Sequence, residues 1–383
     1  MKLLSPFRNG VMTVRSMKGF SILVALFVIL IVSYASGRQT GEITREGVVI
    51  RGLGRVRWIE DFDKALVMSR EHALPLLVFA QEKDSSEEAA KREDTVLRHP
   101  LIVEMVEILF VPVAVRADSS ERRVFLERLG EVTGDETVIM IRDSREEDLV
   151  PRLSWDGSAG TLLETVISAY RRTEKPVPRY VKILHGEHSS HEKHESAMFP
   201  VHCFWAGEVE LGPEEGVLHT LPGRTEDGEA IEVVFDASVT SYGQLLEKTR
   251  AFGLSESAYW KNARQRDTAE RVFGEENVKK AGRFNTDTRP KYYLSRTNYK
   301  YVPMTDRQAI LVNSDLFFEN DPARHLSGRQ LQIFEYIDEN SNRSWKKLVN
   351  RKSERHAHED IIEKWAMVTE RIEKRSRGEV KIH

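Results

Sequence analysis

A continuous apolar run follows Pro75 and reads Leu76-Leu77-Val78-Phe79-Ala80. Two similar runs come later in the chain, over residues 108–115 and residues 137–141. An uninterrupted apolar run of this length indicates a strand whose two faces are both covered by other parts of the protein. The sequence therefore predicts three buried strands.

Helical periodicity separates and surrounds these strands. Apolar residues recur at helical spacing after Trp58, and two further helical patterns cover residues 86–107 and 160–172. Pro100 lies within the first of these two, where proline kinks or interrupts an α-helix. Because strands that alternate with helices form α/β sheets, we predict an α/β domain over residues 48–180.

Composition narrows the class of protein. The chain has 383 residues, and 57 Lys and Arg against 60 Asp and Glu give a net charge of -3. At roughly 150 residues per domain, this length predicts two or three domains. A dedicated nucleic-acid-binding protein carries a basic excess, so no nucleic-acid partner is expected. The single cysteine, Cys203, excludes an intramolecular disulfide, a thiolate-rich metal site and a CxxC redox pair.

The N-terminal segment, residues 1–37, has the pattern of an export signal. Its first 18 residues contain four basic and no acidic side chains, and an apolar run begins at Phe20. This order is typical of a secretory signal, and the small residues 35–37 suit cleavage. Residues 20–36 are also long enough for an uncleaved membrane anchor, so both possibilities stay open. The basic residues place the rest of the chain on the extracytoplasmic (periplasmic) side, secreted if the signal is cleaved.

The order and spacing of the elements predicted over residues 48–180 resemble the thioredoxin-like fold. In that family a CxxC motif follows the strand that corresponds to Leu76–Ala80, and a cis-proline precedes a later strand. Residues 81–88 contain no cysteine here, and residues 134–137 contain no proline. Because thiol–disulfide exchange requires a thiolate, the resemblance implies a fold kept as a scaffold or docking surface.

A histidine-bearing segment follows this domain. Its imidazoles recur at intervals of three and belong to His185, His188, His191 and His194. Gly186 and two serines disfavour a helix, so residues 181–196 are predicted to form a polar linker. Weak metal binding is the alternative, because imidazole suits zinc, copper and nickel.

The single cysteine opens a second domain, which we assign to residues 197–335. The segment reads Met198-Phe199-Pro200-Val201-His202-Cys203-Phe204-Trp205, and the residues after it can start a helix. Residues 229–236 alternate between apolar and polar side chains, as a strand does. Residues 238–246 read as a turn into a helix capped by Ser or Thr.

A charged helical extension, residues 336–383, is predicted to end the chain. Its apolar residues recur at helical spacing and form a stripe of Ile361, Trp365, Val368 and Ile372. Such a stripe favours a helix that packs on the rest of the protein, with a partner or membrane surface as the alternative.

The second domain resembles the A-type peptide-methionine sulfoxide reductases, which reduce (S)-S-oxides in a domain of α+β type. The family's nucleophile lies in Gly-Cys-Phe-Trp, and the match here is His202-Cys203-Phe204-Trp205. Further matches follow in the family's order, at Gly216-Val217, Gly228-Glu229-Ala230-Ile231, Phe235-Asp236 and residues 240–246. Together with the thioredoxin-like part, residues 55–335 resemble divergent bacterial proteins that join both domains.

This resemblance implies a membrane-tethered thiol oxidoreductase that reduces oxidised methionine in peptides or proteins through Cys203. Glu229 would protonate the departing oxygen from partly apolar surroundings. Phe204 and Trp205 would hold the methyl group of the substrate. The nearest candidates for the family's later substrate-binding motif are Asp287, Tyr292 and Tyr293. No metal and no cofactor are implied, but an external thiol must reduce the sulfenic acid formed on Cys203, because the chain has no second thiol.

The sequence also departs from the family's pattern. His202 stands where the family has glycine, and the segment between Gly216 and Glu229 lacks the family's substrate-binding tyrosine. A buried, inert Cys203 and a solvated Glu229 are the alternatives, and with them a catalytically inactive scaffold or binding protein. A reductase requires Cys203 and Glu229 to reach one substrate, whereas a scaffold does not. The substrate, the reductant and the oligomeric state stay open.

Overall fold

The computed structural model describes residues 47–50, 53–80, 86–115, 137–188, 193–287, 291–341, 345 and 357–376. Within them the protein is a mixed α/β structure with several sheets. The predicted signal segment, residues 1–37, lies outside the described residues. No helix in the described part of the chain is both long enough and apolar enough to cross a membrane.

The first sheet contains the three predicted buried strands. Its order is β4 (Val111–Val115), β3 (Leu76–Ala80), β5 (Val138–Arg142) and β6 (Leu153–Ser154). Strand β3 runs parallel to β4 and antiparallel to β5, and every residue of β3 and β4 is buried. A hairpin of β1 (Val48–Val49) and β2 (Arg57–Trp58) precedes it, and Ile59 forms a parallel bridge with Val113.

The helices of this part flank the sheet. They are α1 (Phe62–His72), α2 (Glu87–Val96), α3 (Pro100–Leu109) and α4 (Ala159–Arg172). The helical pattern over residues 86–107 forms two helices, because Pro100 is the first residue of α3 and has no N–H for a continuing helix. The strand expected from residue 108 begins only at Val111, since α3 extends to Leu109.

The predicted linker over residues 181–196 is wrong. Helix α5 (Arg179–Glu187) occupies its first part, and strand β7 (His194–Pro200) begins in its last part. The reason is the apolar face of α5, where Tyr180, Val181 and Leu184 are buried in the core of the first sheet. His191 lies outside the described residues.

The second sheet carries the cysteine region. Its order is β12 (Asn285–Thr286), β8 (Val217–Thr225), β9 (Gly228–Asp236) and β7, and all neighbouring strands are antiparallel. Helices α6 (Phe204–Leu211) and α7 (Tyr242–Ala251) pack on one face. The predicted cap of α7 is confirmed, because Ser241 and Gln244 form a reciprocal capping box.

A small parallel sheet and one further helix complete this part of the chain. Strands β10 (Ala258–Trp260) and β11 (Val278–Lys280) are paired, and α8 (Ala263–Phe273) lies between them in sequence. The buried side chain of Tyr259 on β10 lies with Met198 and Ala230 against the second face of the larger sheet.

Three C-terminal helices connect the two sheets. They are α9 (Asp306–Phe317), α10 (Gly328–Glu339) and α11 (Ala357–Ser376). The boundary predicted after residue 335 is wrong, because it falls inside α10. The predicted apolar stripe of α11 packs inward: Ile361 joins the core of the first sheet, while Val368 packs in a cluster with residues of α10.

A buried polar junction also joins the first sheet's helices to α10. Glu104 of α3 is fully buried and accepts hydrogen bonds from the Ser327 hydroxyl (2.5 Å) and the Arg329 N–H (2.9 Å). Its neighbour Glu107 forms an ion pair with Arg329. Ser327 caps α10, so a carboxylate from a residue 223 positions away lies at the N-terminus of that helix. The two sheets are therefore parts of one interlocked structure.

Candidate functional site

Cys203 is the residue from which helix α6 starts. It occupies the N-cap position with an extended backbone (φ -145°, ψ 117°), and its side chain makes no capping hydrogen bond. The preceding residues are fixed by the Val201 N–H to the Glu229 carbonyl (3.0 Å) and by the His202 N–H to the Leu254 carbonyl (2.9 Å). The thiol is partly exposed at the end of the helix where backbone N–H groups lack intrahelical partners.

The carboxylate of Glu229 satisfies one of these N–H groups. Its Oε2 accepts a hydrogen bond of 2.9 Å from the backbone N–H of Phe204, the residue next to Cys203. The register of the sheet explains the approach, because β7 and β9 pair Pro200 with Ala230 and so bring the start of β9 to the end of β7. The two residues predicted to act together thus lie at the same helix terminus.

Arg224 is a site residue that the sequence analysis missed. It faces Glu229 across the β8–β9 pair, and its Nη2 lies 2.7 Å from the Glu229 Oε1. Its guanidinium carbon lies 5.4 Å from the centre of the Phe204 ring. A cation and a backbone N–H therefore flank the Glu229 carboxylate.

The pairing of Arg224 with Glu229 could have been predicted from a β-hairpin pattern in the sequence. The turn between β8 and β9 contains only two residues, Glu226 and Asp227, and pairs Thr225 with Gly228. A two-residue turn fixes the register of both strands, so the residue before Thr225 must face the residue after Gly228. An Asp-Gly pair directly before a predicted strand is the usual sign of such a turn.

Three of the predicted aromatic residues form a continuous surface beside the thiol. The rings of Trp205 and Tyr292 stack at 4.0 Å with an angle of 19°, and Tyr292 contacts Tyr293 edge-on at 5.2 Å. Burial raises the pKa of Tyr293 above its ordinary value of 10.0, and the neighbouring Cys203 and Tyr292 raise this pKa further. Phe204 differs from these rings, because it is 6% exposed and belongs to the core of the second sheet.

A buried ion pair holds this aromatic segment on α6. Lys291, directly before Tyr292, places its Nζ 2.7 Å from the Oε1 of Glu208, which is 1% exposed. The Lys291 N–H donates to the other oxygen of Glu208, and its Nζ also donates to the Thr220 carbonyl (2.8 Å). Because Glu208 lies one turn after Phe204 on α6, the aromatic residues are fixed to the helix that carries the thiol.

Helix α9 holds the same segment from the other side. The Asn313 Oδ1 accepts hydrogen bonds of 3.0 Å from the backbone N–H groups of both Tyr293 and Leu294. Asn313 is almost fully buried, which favours a fixed side-chain position. The aromatic wall therefore depends on contacts with two separate helices.

Asp287 does not belong to the set of cross-strand neighbours that contains Glu229. Strand β12 pairs Asn285 with Arg224, so Asn285, Arg224 and Glu229 are neighbours across three strands. Asp287 comes two residues later and donates its backbone N–H to the Pro222 carbonyl over 2.8 Å. The structure gives this residue a place on the same sheet but not in that set of neighbours.

The surroundings of the site include a polar cleft of about 510 Å³. Its lining comprises His202 and Glu229 from the site, together with Asp227, Tyr259 and Lys279. A wider depression of about 1550 Å³ lies between α7 and α8 and contains none of the predicted site residues. Of the site residues, His202 and Glu229 line the smaller cleft, whereas Cys203 and the stacked Trp205 and Tyr292 do not.

The histidine-bearing segment makes other contacts. The Nε2 of His185 lies 2.9 Å from the Glu164 carboxylate on α4. Among the described residues no group of three His, Cys, Asp or Glu side chains is placed to hold a metal ion.

Comparison with known proteins gives no assignment. No protein-family model matches the chain, and no curated protein matches it.

Proposed function

We propose that this chain is a thiol oxidoreductase of the peptide-methionine (S)-S-oxide reductase type, which reduces methionine sulfoxide through Cys203. The observation that carries the proposal is the hydrogen bond from the Phe204 N–H to the Glu229 carboxylate, at 2.9 Å. It brings a carboxylate to the residue that follows Cys203, and the proposed reaction requires a proton-transferring group in this region. The stacked Trp205 and Tyr292 rings add an apolar wall for a methyl group.

The proposed fold follows the same resemblance. The part of the chain from β1 to α5 would be a thioredoxin-like domain without a CxxC motif, and the part from β7 to α10 would be the reductase-like domain. The strand order β4-β3-β5-β6, with β3 and β4 parallel and β5 antiparallel, supports the first assignment. The position of Cys203 at the start of α6, packed on an antiparallel sheet, supports the second.

In the proposed reaction, the Cys203 sulfur attacks the sulfoxide sulfur and the S–O bond of the substrate breaks. The oxygen passes to Cys203, so the thiol is oxidised to a sulfenic acid and the sulfoxide is reduced to a sulfide. Glu229 takes the thiol proton and returns it to the departing oxygen, so that no proton is gained or lost overall.

An external thiol completes the cycle. One thiol molecule displaces water from the sulfenic acid and forms a mixed disulfide with Cys203. A second molecule then releases Cys203 and leaves as the oxidised disulfide. The chain needs this donor because it has no other cysteine.

The proposed location is the extracytoplasmic side of a membrane, with residues 20–36 as anchor or cleaved signal. The basic residues before Phe20 support this orientation. The partners of the protein would then be oxidised methionines of exported proteins and an extracytoplasmic thiol donor.

A scaffold function is the second candidate. It is favoured by the double engagement of Glu229, whose two oxygens are bound by Phe204 and Arg224. Such contacts also serve to fasten β8 and β9 to α6 without any reaction.

An assay of the full chain distinguishes the two candidates. A peptide that contains methionine-(S)-sulfoxide is incubated with excess small thiol, and the sulfide product is measured by mass spectrometry. The reductase proposal expects turnover of the (S) form, none with the (R) form and none with Cys203→Ser. Absence of sulfide and of sulfenic acid on Cys203 would support the scaffold instead.

A further inference from the structure

The position of Arg224 suggests more than a structural ion pair. One of its N–H donors binds the Glu229 carboxylate at 2.7 Å, while the guanidinium lies over the Phe204 ring at 5.4 Å. Within the described part of the chain, its other N–H donors form no hydrogen bond. The side chain is 62% exposed, so those donors are open to a ligand.

The proposed reaction needs a hydrogen-bond donor at this place. An ionised carboxylate can only accept hydrogen bonds, so Glu229 does not bind a sulfoxide oxygen while it is charged. The Trp205 Nε1 is buried in the structure and cannot reach a ligand without movement. Arg224 has further N–H donors directly beside Glu229, and unlike the hydroxyls of Tyr292 and Tyr293 it carries a positive charge.

Charge development during the reaction favours the guanidinium. As the S–O bond lengthens, negative charge collects on the oxygen, and a fixed cation with parallel N–H donors stabilises it. The hydrogen bond to Glu229 and the contact with the face of the Phe204 ring both restrain the guanidinium. Its remaining N–H donors therefore have a preferred direction before the substrate binds.

We propose that Arg224 is a catalytic residue that binds the sulfoxide oxygen and stabilises the charge that develops on it as Cys203 attacks. This inference rests on the proposed sulfoxide reduction. In the step itself the S–O bond breaks, the oxygen and the returned proton end on Cys203 as a sulfenic acid, and the guanidinium keeps all of its protons.

The first test compares Arg224→Met with the wild-type full chain. With a methionine-(S)-sulfoxide peptide, the kcat should fall about 100-fold, as when one preorganised donor is removed from an oxyanion site, while KM should rise by a smaller factor. Single-turnover formation of sulfenic acid on Cys203 should slow by the same factor, which excludes an effect on the external thiol. Arg266→Met is the matched control, because Arg266 is also an exposed arginine that pairs with carboxylates and lies over a ring, that of Trp260.

The second test separates a catalytic role from a structural one. Arg224→Ala should regain part of its activity when millimolar methylguanidine is added, since a free guanidinium can occupy the vacated place. A kcat of Arg224→Met within threefold of wild type overturns the inference, and so does a loss that methylguanidine fails to restore while the melting temperature also falls. If the wild type itself forms neither sulfide nor sulfenic acid, the proposed function fails as well, so the two failures are distinguishable.

Discussion

The backbone N–H of Phe204 donates a 2.9 Å hydrogen bond to the carboxylate of Glu229. The two residues lie on different elements, Phe204 at the first turn of α6 and Glu229 near the start of β9. Their contact puts an acid–base group at the helix end that carries the only thiol in the chain. It also gives Glu229 a structural task, because an N–H at a helix start otherwise lacks a partner.

Substitutions at Cys203 and Glu229 test the proposed catalytic pair. Cys203→Ser should abolish sulfoxide reduction, because no other thiol exists in the chain. Glu229→Gln keeps the shape but cannot move the proton, so turnover should fall about 10²–10⁴-fold. Sulfide formation and probe labelling of sulfenic acid measure both effects, and Glu232→Gln on the same strand is the control. An unchanged rate in Glu229→Gln would remove Glu229 from the mechanism.

Lys291→Met should destabilise the protein and loosen the aromatic wall. The substitution leaves the buried Glu208 carboxylate without its cation, which typically costs about 3–5 kcal/mol of unfolding free energy. Urea denaturation measures the loss, and tryptophan fluorescence reports on the Trp205–Tyr292 stack. Lys279→Met is the control, because its ion pair with Asp227 is exposed and its loss should leave the unfolding midpoint unchanged. Equal midpoints for the two variants would contradict the role of the buried pair.

Because of the buried carboxyl group of Glu187, we expect the free energy of unfolding to fall as the pH rises. Burial is the largest cause of the change in the pKa of Glu187, which rises from 4.5 to about 7. The hydrogen bond from the Arg307 N–H to the carboxylate acts in the opposite direction and lowers this pKa. The folded protein therefore binds this proton more tightly than the unfolded chain. The stabilisation is fully present below pH 4.5 and is lost as the pH rises through about 7.

The size of this effect is measurable. The difference between the two pKa values corresponds to about 3 kcal/mol of unfolding free energy. Glu187→Gln should remove this part of the pH dependence and raise the stability at pH 8 relative to wild type. Glu215→Gln serves as control, because Glu215 is a nearby exposed glutamate. Urea unfolding between pH 5 and 8 supplies the comparison, and parallel curves for wild type and Glu187→Gln would disprove the prediction.

Ser327→Ala tests the junction between the two sheets. The variant removes the cap of α10 and one hydrogen bond to the buried Glu104, so we expect a loss of about 2–4 kcal/mol from both causes together. Ser86→Ala is the matched control, since Ser86 caps α2 without any buried carboxylate and should cost about 1 kcal/mol. Chemical unfolding should stay a single transition in the wild type, because the junction links both parts. Equal losses in the two variants would argue against the junction.

The sequence pattern of the N-terminal segment predicts the orientation of the chain. Four basic residues precede the apolar run that starts at Phe20, so the residues after Gly37 should lie outside the cytoplasm. A reporter that works only outside the cytoplasm, fused after His383, should be active. A reporter restricted to the cytoplasm is the control, and activity of that fusion instead would refute the export signal.

The sequence by itself determined the features that depend on neighbours in the chain. The buried strands β3, β4 and β5 follow from uninterrupted apolar runs, since each run needs cover on two faces wherever it lies. The cap at Ser241 follows from side chains that bind nearby backbone groups. Helix α5 is an exception, because Gly186 and the histidines predict a linker there. Its short apolar face is stabilised as a helix by packing on the core of the first sheet.

Only the tertiary structure decided which charged groups meet. Arg224 faces Glu229 because a two-residue turn sets the register of β8 and β9, and Lys291 reaches Glu208 across 83 positions of the chain. Glu104 meets Ser327 across 223 positions. A local pattern contains no information on such pairs, because a charged side chain in a sequence looks the same whether water or a distant partner surrounds it. The pairing becomes fixed only when burial of the apolar faces brings the elements together and leaves each enclosed charge in need of a partner.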